Sequence, residues 1–173
     1  MLFPADITAK AEAVIEACRA QGLRVATAES CTGGLVAAAL TEVAGSSDVF
    51  DRGFVTYSNE AKMETLSVSL DVLETFGAVS VAVAWALAHG ALQKSHADIA
   101  IGVTGIAGPG GGSDMKPVGT VVFALARRGD DPEKAVAETM TFDPDLGRTG
   151  IRLQAVRAAL DLLMPEEGAP PAP

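Results

Sequence analysis

Apolar positions near the start of the chain recur at spacings of four, three and four (Ile7, Ala11, Val14, Cys18). That rhythm predicts an amphipathic helix, capped by Asp6 and stopped by Gly22. Leu23 to Ala28 is a short apolar run with β-branched residues, followed at once by Glu29-Ser-Cys-Thr-Gly-Gly34 and then by a helical pattern from Leu35 to Ala44. The unit reads as strand, tight turn, helix. Gly53 to Ser58 predicts a second strand, after which Asn59-Glu-Ala-Lys62 reads as the first turn of a helix. Asp71 to Phe76 fits a short helix, and Ser80 can cap a long alanine-rich helix through about Lys94. The unbroken apolar run from Asp98 to Val103 fits a strand buried on both faces.

The pattern then changes. Gly105-Ile-Ala-Gly-Pro-Gly-Gly-Gly-Ser-Asp114 cannot continue either element. Val118 to Ala126 and Ala135 to Phe142, joined by the turn Arg127 to Pro132, suit an antiparallel hairpin, and a last helix spans Leu146 to Met164. The expected fold class is α/β: a three-layer α/β/α sandwich with a mixed, mainly parallel sheet and a late antiparallel hairpin. Residues 1–164 are expected to form a single domain. The proline-rich segment 165–173 is expected to be a frayed tail, because it holds too little apolar surface to offset its ordering entropy.

Composition narrows the function. Of the 173 residues 49% are hydrophobic and 20% charged, which excludes disorder as the main state. Thirteen Lys and Arg against 22 Asp and Glu give a formal charge of −9, so the average field repels phosphates, and a generic binder of nucleic acid or anionic membrane is not expected. No segment has the uninterrupted apolar length of a membrane span and the start carries no export pattern. With only Cys18 and Cys31, a disulfide framework is not expected either, and the chain suits a reducing cytoplasm.

Three loops would meet where the C-terminal ends of parallel strands open a crevice. In the first, Ser30 sits where a strand turns into a helix, and Gly33 and Gly34 let the backbone approach a bound group. The free N–H groups of the following helix suit an oxyanion or a phosphate. Ser30 and Thr32 equally fit N-caps, and Cys31 is a rival nucleophile. In the second, Tyr57 ends a strand and Lys62 lies within a turn of it. As a base, Lys62 would need its pKa lowered by ~3 units, at a cost of ~4 kcal/mol that burial can impose; as a surface residue it stays an ammonium. Asn59 fits a cap as well as a ligand contact. The third, glycine-rich loop lacks the ending of a phosphate-binding P-loop and the dinucleotide fingerprint. His89 and His96 have no metal-type partners. Arg148 and Arg152, four apart, share a helix face and could take a phosphate or carboxylate, or simply form salt bridges.

At these loops the chain resembles the CinA C-terminal-domain family, which includes the nicotinamide-nucleotide amidases. The resemblance rests on Thr27-Ala-Glu-Ser-Cys-Thr-Gly-Gly34, Ala44-Gly-Ser-Ser47, Arg52-Gly-Phe-Val-Thr-Tyr-Ser-Asn-Glu-Ala-Lys62, Gly77-Ala-Val-Ser80, Thr104-Gly-Ile-Ala-Gly-Pro109 and Lys116-Pro-Val-Gly-Thr120, in that order. It implies hydrolysis of the carboxamide of nicotinamide mononucleotide to nicotinic acid mononucleotide and ammonia, with no metal and no organic cofactor. Ser30 matches the family nucleophile, Lys62 its base, and Tyr57 a nearby supporting tyrosine. Substrate contacts are expected from Thr32, Gly33, Gly34, Asn59, Thr104, Gly105, Gly108 and Arg148. The family usually carries Gly-Asp-Arg followed by an acidic residue where this chain has Leu146-Gly-Arg-Thr-Gly150. Longer members carry an additional N-terminal domain, and at this length only the amidase part is expected. A homo-oligomer is expected, and a competing reading is a ligand-binding or interaction protein linked to competence or DNA damage.

Overall fold

A computed structural model describes residues 2–131 and 136–166. Five strands form one mixed sheet: β1 (Val25–Glu29), β2 (Phe50–Val55), β3 (Ile99–Gly105), β4 (Thr120–Arg127) and β5 (Val136–Thr141), in the order β2-β1-β3-β4-β5. β1 pairs parallel with both β2 and β3, whereas β3–β4 and β4–β5 are antiparallel. The three parallel strands therefore end on one edge, as the sequence pattern implies. The six α-helices are α1 (Ala5–Gln21), α2 (Leu35–Thr41), α3 (Asn59–Leu66), α4 (Leu70–Phe76), α5 (Val81–Gln93) and α6 (Gly147–Leu163).

Alternation along the buried strands makes two unlike faces. One presents Val25, Ile99, Ile101, Val103, Val121, Phe123 and Leu125 to α1, α2 and α6. The other presents Ala26, Ala28, Ala100, Val122, Ala124 and Ala126, mostly small, and α5 settles closely upon it. Gly102 makes the approach possible, since a Cβ there would lie 2.2 Å from the Ala84 carbonyl oxygen. The Ser80 hydroxyl caps α5 by accepting from the Val83 amide at 3.2 Å.

Several expectations need correction. Asp6 is not the cap of α1: Pro4 holds that position, and Asp6 pairs with Arg157 of α6, whose guanidinium keeps the Asp6 carboxyl below its ordinary pKa. α2 stops at Thr41, short of Ala44. β2 runs over Phe50–Val55 instead of Gly53–Ser58. As an edge strand it has half-exposed Asp51 and exposed Arg52, charges that the apolar pattern reads as loop. Its displacement frees Tyr57 and Ser58 from the sheet. The Ser58 hydroxyl then caps α3 by accepting from the Ala61 amide at 3.0 Å, so Asn59 is the first helical residue and not the cap. Of the expected tail, Pro165 is buried and the Glu166 carbonyl accepts from Gln21 Nε2 at 3.3 Å; the remainder of the tail, and Pro132 and Ala135 at the edges of the expected hairpin turn and strand, lie outside the described residues.

Candidate active site

The chain leaves β1 at Glu29, turns through Ser30–Gly34 and enters α2. Glu29 is fully buried at the strand end. Its carboxylate accepts from the amides of Gly34 at 3.0 Å, Val36 at 3.1 Å and Ala37 at 2.8 Å. A buried carboxylate is tolerable only when bonded in this way, and the bonds pin the turn to the start of α2. Ser30 is thereby held at the sheet edge. Sequence reasoning assigned no role to Glu29, although an acidic residue closing an apolar run just before a helix has few other buried partners to find.

Lys62 comes from the first turn of α3 and is only 1% exposed, among the largest fully buried side chains. Its Nζ lies 3.1 Å from Ser30 Oγ, 2.9 Å from the Thr56 carbonyl oxygen and 3.4 Å from that of Tyr57. Burial pushes its pKa below the ordinary lysine value. A neutral amine here can give its two N–H groups to the carbonyls and keep its lone pair for the Ser30 hydroxyl. Cys31 is buried beside them, and burial raises its thiol to about 11, so it stays protonated at neutral pH and is the poorer nucleophile.

Ser30 and Lys62 open onto a cleft of about 220 Å³ that is also lined by Tyr57, Asn59, Thr104, Gly105 and Arg148. The Thr104 hydroxyl donates to the Ala78 carbonyl at 2.8 Å, fixing that wall. Arg148, in the first turn of α6, donates to the Tyr57 hydroxyl and to the Gly108 carbonyl, both at 2.7 Å. Tyr57 is 58% exposed, and its phenol meets Arg148 at the cleft mouth.

Other expected contacts are placed differently. Thr32 is fully buried and does not line the cleft. The Gly33 amide donates to the Ser30 carbonyl at 3.0 Å and the Gly34 amide to Glu29, so neither is free for an oxyanion. Gly108 contributes its carbonyl to Arg148 and does not line the cleft. Arg152 turns away from any open anion site: Nε donates to the Cys31 carbonyl at 3.1 Å and Nη2 to that of Thr32 at 2.9 Å. His89 is stacked on Trp85, and His96 lies beside Asp51 at the opposite end of the parallel strands. Among the described residues no group of three or more His, Cys, Asp or Glu side chains could hold a metal ion, and no helix is long and apolar enough to cross a membrane.

Known proteins resemble this chain in sequence and in fold. A nicotinamide-nucleotide amidohydrolase, PncC, of Escherichia coli K12 is 49% identical over 153 residues, 88% of this chain and 89% of that protein. A CinA-like protein of Syntrophobacter fumaroxidans is 50% identical over 148 residues, but the chain spans only 34% of its length. The chain likewise spans 39% of a relative in Symbiobacterium thermophilum named for competence-damage induction. Among solved structures, a competence/damage inducible protein from Agrobacterium tumefaciens superposes with a TM-score of 0.89 at 54% identity, covering 94% of this chain and 96% of that one. The family model described as the CinA C-terminal domain matches residues 7–166. With the match running through nearly the whole chain, from α1 to the end of α6, this protein belongs to the CinA C-terminal domain family.

Proposed function

We propose that the chain is a nicotinamide-nucleotide amidase working through a Ser30–Lys62 pair, without a metal. The observation that carries this reading is the buried Lys62 amine 3.1 Å from the Ser30 hydroxyl at the floor of the cleft. The family resemblance and the name of the Escherichia coli relative support the substrate: a nicotinamide mononucleotide, whose carboxamide C–N bond is the one to be cut.

Lys62 in its neutral form takes the Ser30 proton as Oγ attacks the carboxamide carbon. The tetrahedral intermediate places negative charge on the former carbonyl oxygen. With Gly33 and Gly34 engaged, the amide to receive it is that of Cys31, which lines the cleft, has no oxygen acceptor among the described residues and gives up its contact with the Cys31 sulfur to do so. Lys62 returns the proton to the leaving nitrogen and ammonia departs, leaving an ester on Ser30. Water then attacks that ester, Lys62 takes its proton, and the proton passes to Ser30 Oγ as the carboxylic acid leaves. Tyr57, Asn59 and Arg148 line the mouth and would contact the ribose and phosphate, Arg148 with the guanidinium donors its two present bonds leave unused. A cytoplasmic location belongs to the same proposal, since both cysteines are free and buried.

The test is the purified chain mixed with nicotinamide mononucleotide and a metal chelator. Ammonia and nicotinic acid mononucleotide released in equal amounts support the amidase. Thermal stabilisation by the nucleotide with no release would instead favour a ligand-binding protein.

A further inference from the structure

Arg148 and Arg152 sit one turn apart on α6, yet only Arg148 lines the cleft. Arg152 grips the turn that carries Ser30, and it does so from the carbonyl side, bridging two successive peptide oxygens, those of Cys31 and Thr32. The same turn is gripped through its amides by the Glu29 carboxylate at Gly34, Val36 and Ala37. Anion on the N–H groups and cation on the C=O groups are the two arrangements that favour the peptide dipoles as they stand. Gly33 completes the fit. A Cβ at that position would lie 3.2 Å from Arg152 Nη2, so the glycine leaves room for the guanidinium as well as adopting a φ of +61°.

The Cys31 carbonyl and the Thr32 amide belong to one peptide unit. A guanidinium against the carbonyl draws electron density toward that end and makes the N–H a stronger donor. The next unit carries the effect to the cleft: Arg152 on the Thr32 carbonyl strengthens the Gly33 amide as a donor to the Ser30 carbonyl, and that carbonyl shares its peptide unit with the Cys31 amide, which is left without an oxygen partner. We infer that Arg152 is a positioning residue for the hydrolysis: it holds and polarises the turn whose Cys31 amide receives the oxyanion, and it does not bind the nucleotide. This rests on the Ser30 reading above.

The experiment compares steady-state hydrolysis of nicotinamide mononucleotide by the parent chain, Arg152→Gln, Arg152→Lys and Ser30→Ala, with thermal unfolding of each. Losing support for the oxyanion donor is a transition-state defect, so Arg152→Gln lowers kcat about 100-fold while KM stays within about threefold. Arg152→Lys, a point charge able to meet one carbonyl, recovers part of the rate, and guanidinium ion at sub-denaturing concentration recovers part of it in Arg152→Gln. If Arg152→Gln does not fold, the kcat-against-KM split is read from Arg152→Lys. A kcat within twofold of the parent in either variant, a change in KM alone, or a loss that tracks the unfolding midpoint with no rescue would overturn the inference. Ser30→Ala keeps the two readings apart: if it is inactive while the arginine variants are normal, only Arg152's role fails, and if it turns over normally the serine mechanism itself fails.

Discussion

The floor and the rim of the cleft are built on different principles. At the floor and just beneath it, Ser30, Lys62 and Glu29 are all buried; the Glu29 carboxylate meets three amides at the start of α2, and the Lys62 amine meets Ser30 and Thr56 from separate segments. At the rim, Tyr57, Asn59 and Arg148 are exposed, and Arg148 is held by two bonds, to a phenol and to one loop carbonyl. The difference suits the proposed chemistry. A serine and an amine exchanging a proton need fixed separation and a dry surrounding, in which burial itself lowers the lysine pKa. Groups that admit and release a charged nucleotide need water and freedom to exchange partners. Damage at the floor should therefore strike turnover and folding, and damage at the rim should strike substrate affinity.

The largest contrast is expected from Lys62. Lys62→Met removes the proposed base while preserving much of the side-chain volume, and should lower kcat by about 10⁴-fold or more in the ammonia-release assay. Glu29→Ala leaves three amides of the α2 start without their carboxylate and should cost about 3 kcal/mol or more of stability by urea unfolding, a penalty that no rim substitution should approach. Arg148→Ala should act in the opposite sense, raising KM about tenfold or more with little change in the unfolding midpoint. Tyr57→Phe removes only the phenol that accepts from Arg148 and should change KM by no more than a few-fold.

The lowered pKa of Lys62 sharpens the same comparison through pH. The proposed mechanism uses the neutral amine, so kcat/KM should rise with pH through the pKa of Lys62 in the folded protein, which lies below its ordinary value of 10.5. Stability should follow the same direction. Between the folded pKa and the ordinary one the unfolded chain binds a proton that the native chain has lost, so folding becomes more favourable as pH rises across that window. Below it both states are protonated, and the buried ammonium weakens the fold. Urea midpoints for the parent and Lys62→Met across that range check the sign: the rise should be present in the first and absent in the second.

The contrast also explains what the sequence disclosed. Ser30, Lys62 and the glycine-rich loop stood out because each breaks a local pattern: a strand that turns abruptly, a lysine just after a strand, a stretch that can be neither helix nor strand. The sandwich was legible from the apolar runs of β1, β3 and β4, which are buried throughout apart from the last residues of β3 and β4. β2 was placed three residues late because an edge strand with charged, exposed positions has no such run. That displacement put Tyr57 at a strand end and assigned the α3 cap to the wrong neighbour. Arg152 escaped because its partners, Cys31 and Thr32, lie 121 and 120 residues away. Nothing in the spacing of two arginines on a helix distinguishes the one that meets a ligand from the one that meets a backbone turn.

The central claim is that the Ser30 hydroxyl, activated by the buried amine beside it, makes the covalent bond to the carboxamide carbon. The most direct measurement is ammonia release from nicotinamide mononucleotide by chelator-treated Ser30→Ala, with circular dichroism to verify the fold. The account predicts a fall of about 10⁴-fold or more in a normally folded protein; turnover near the parent rate would contradict it.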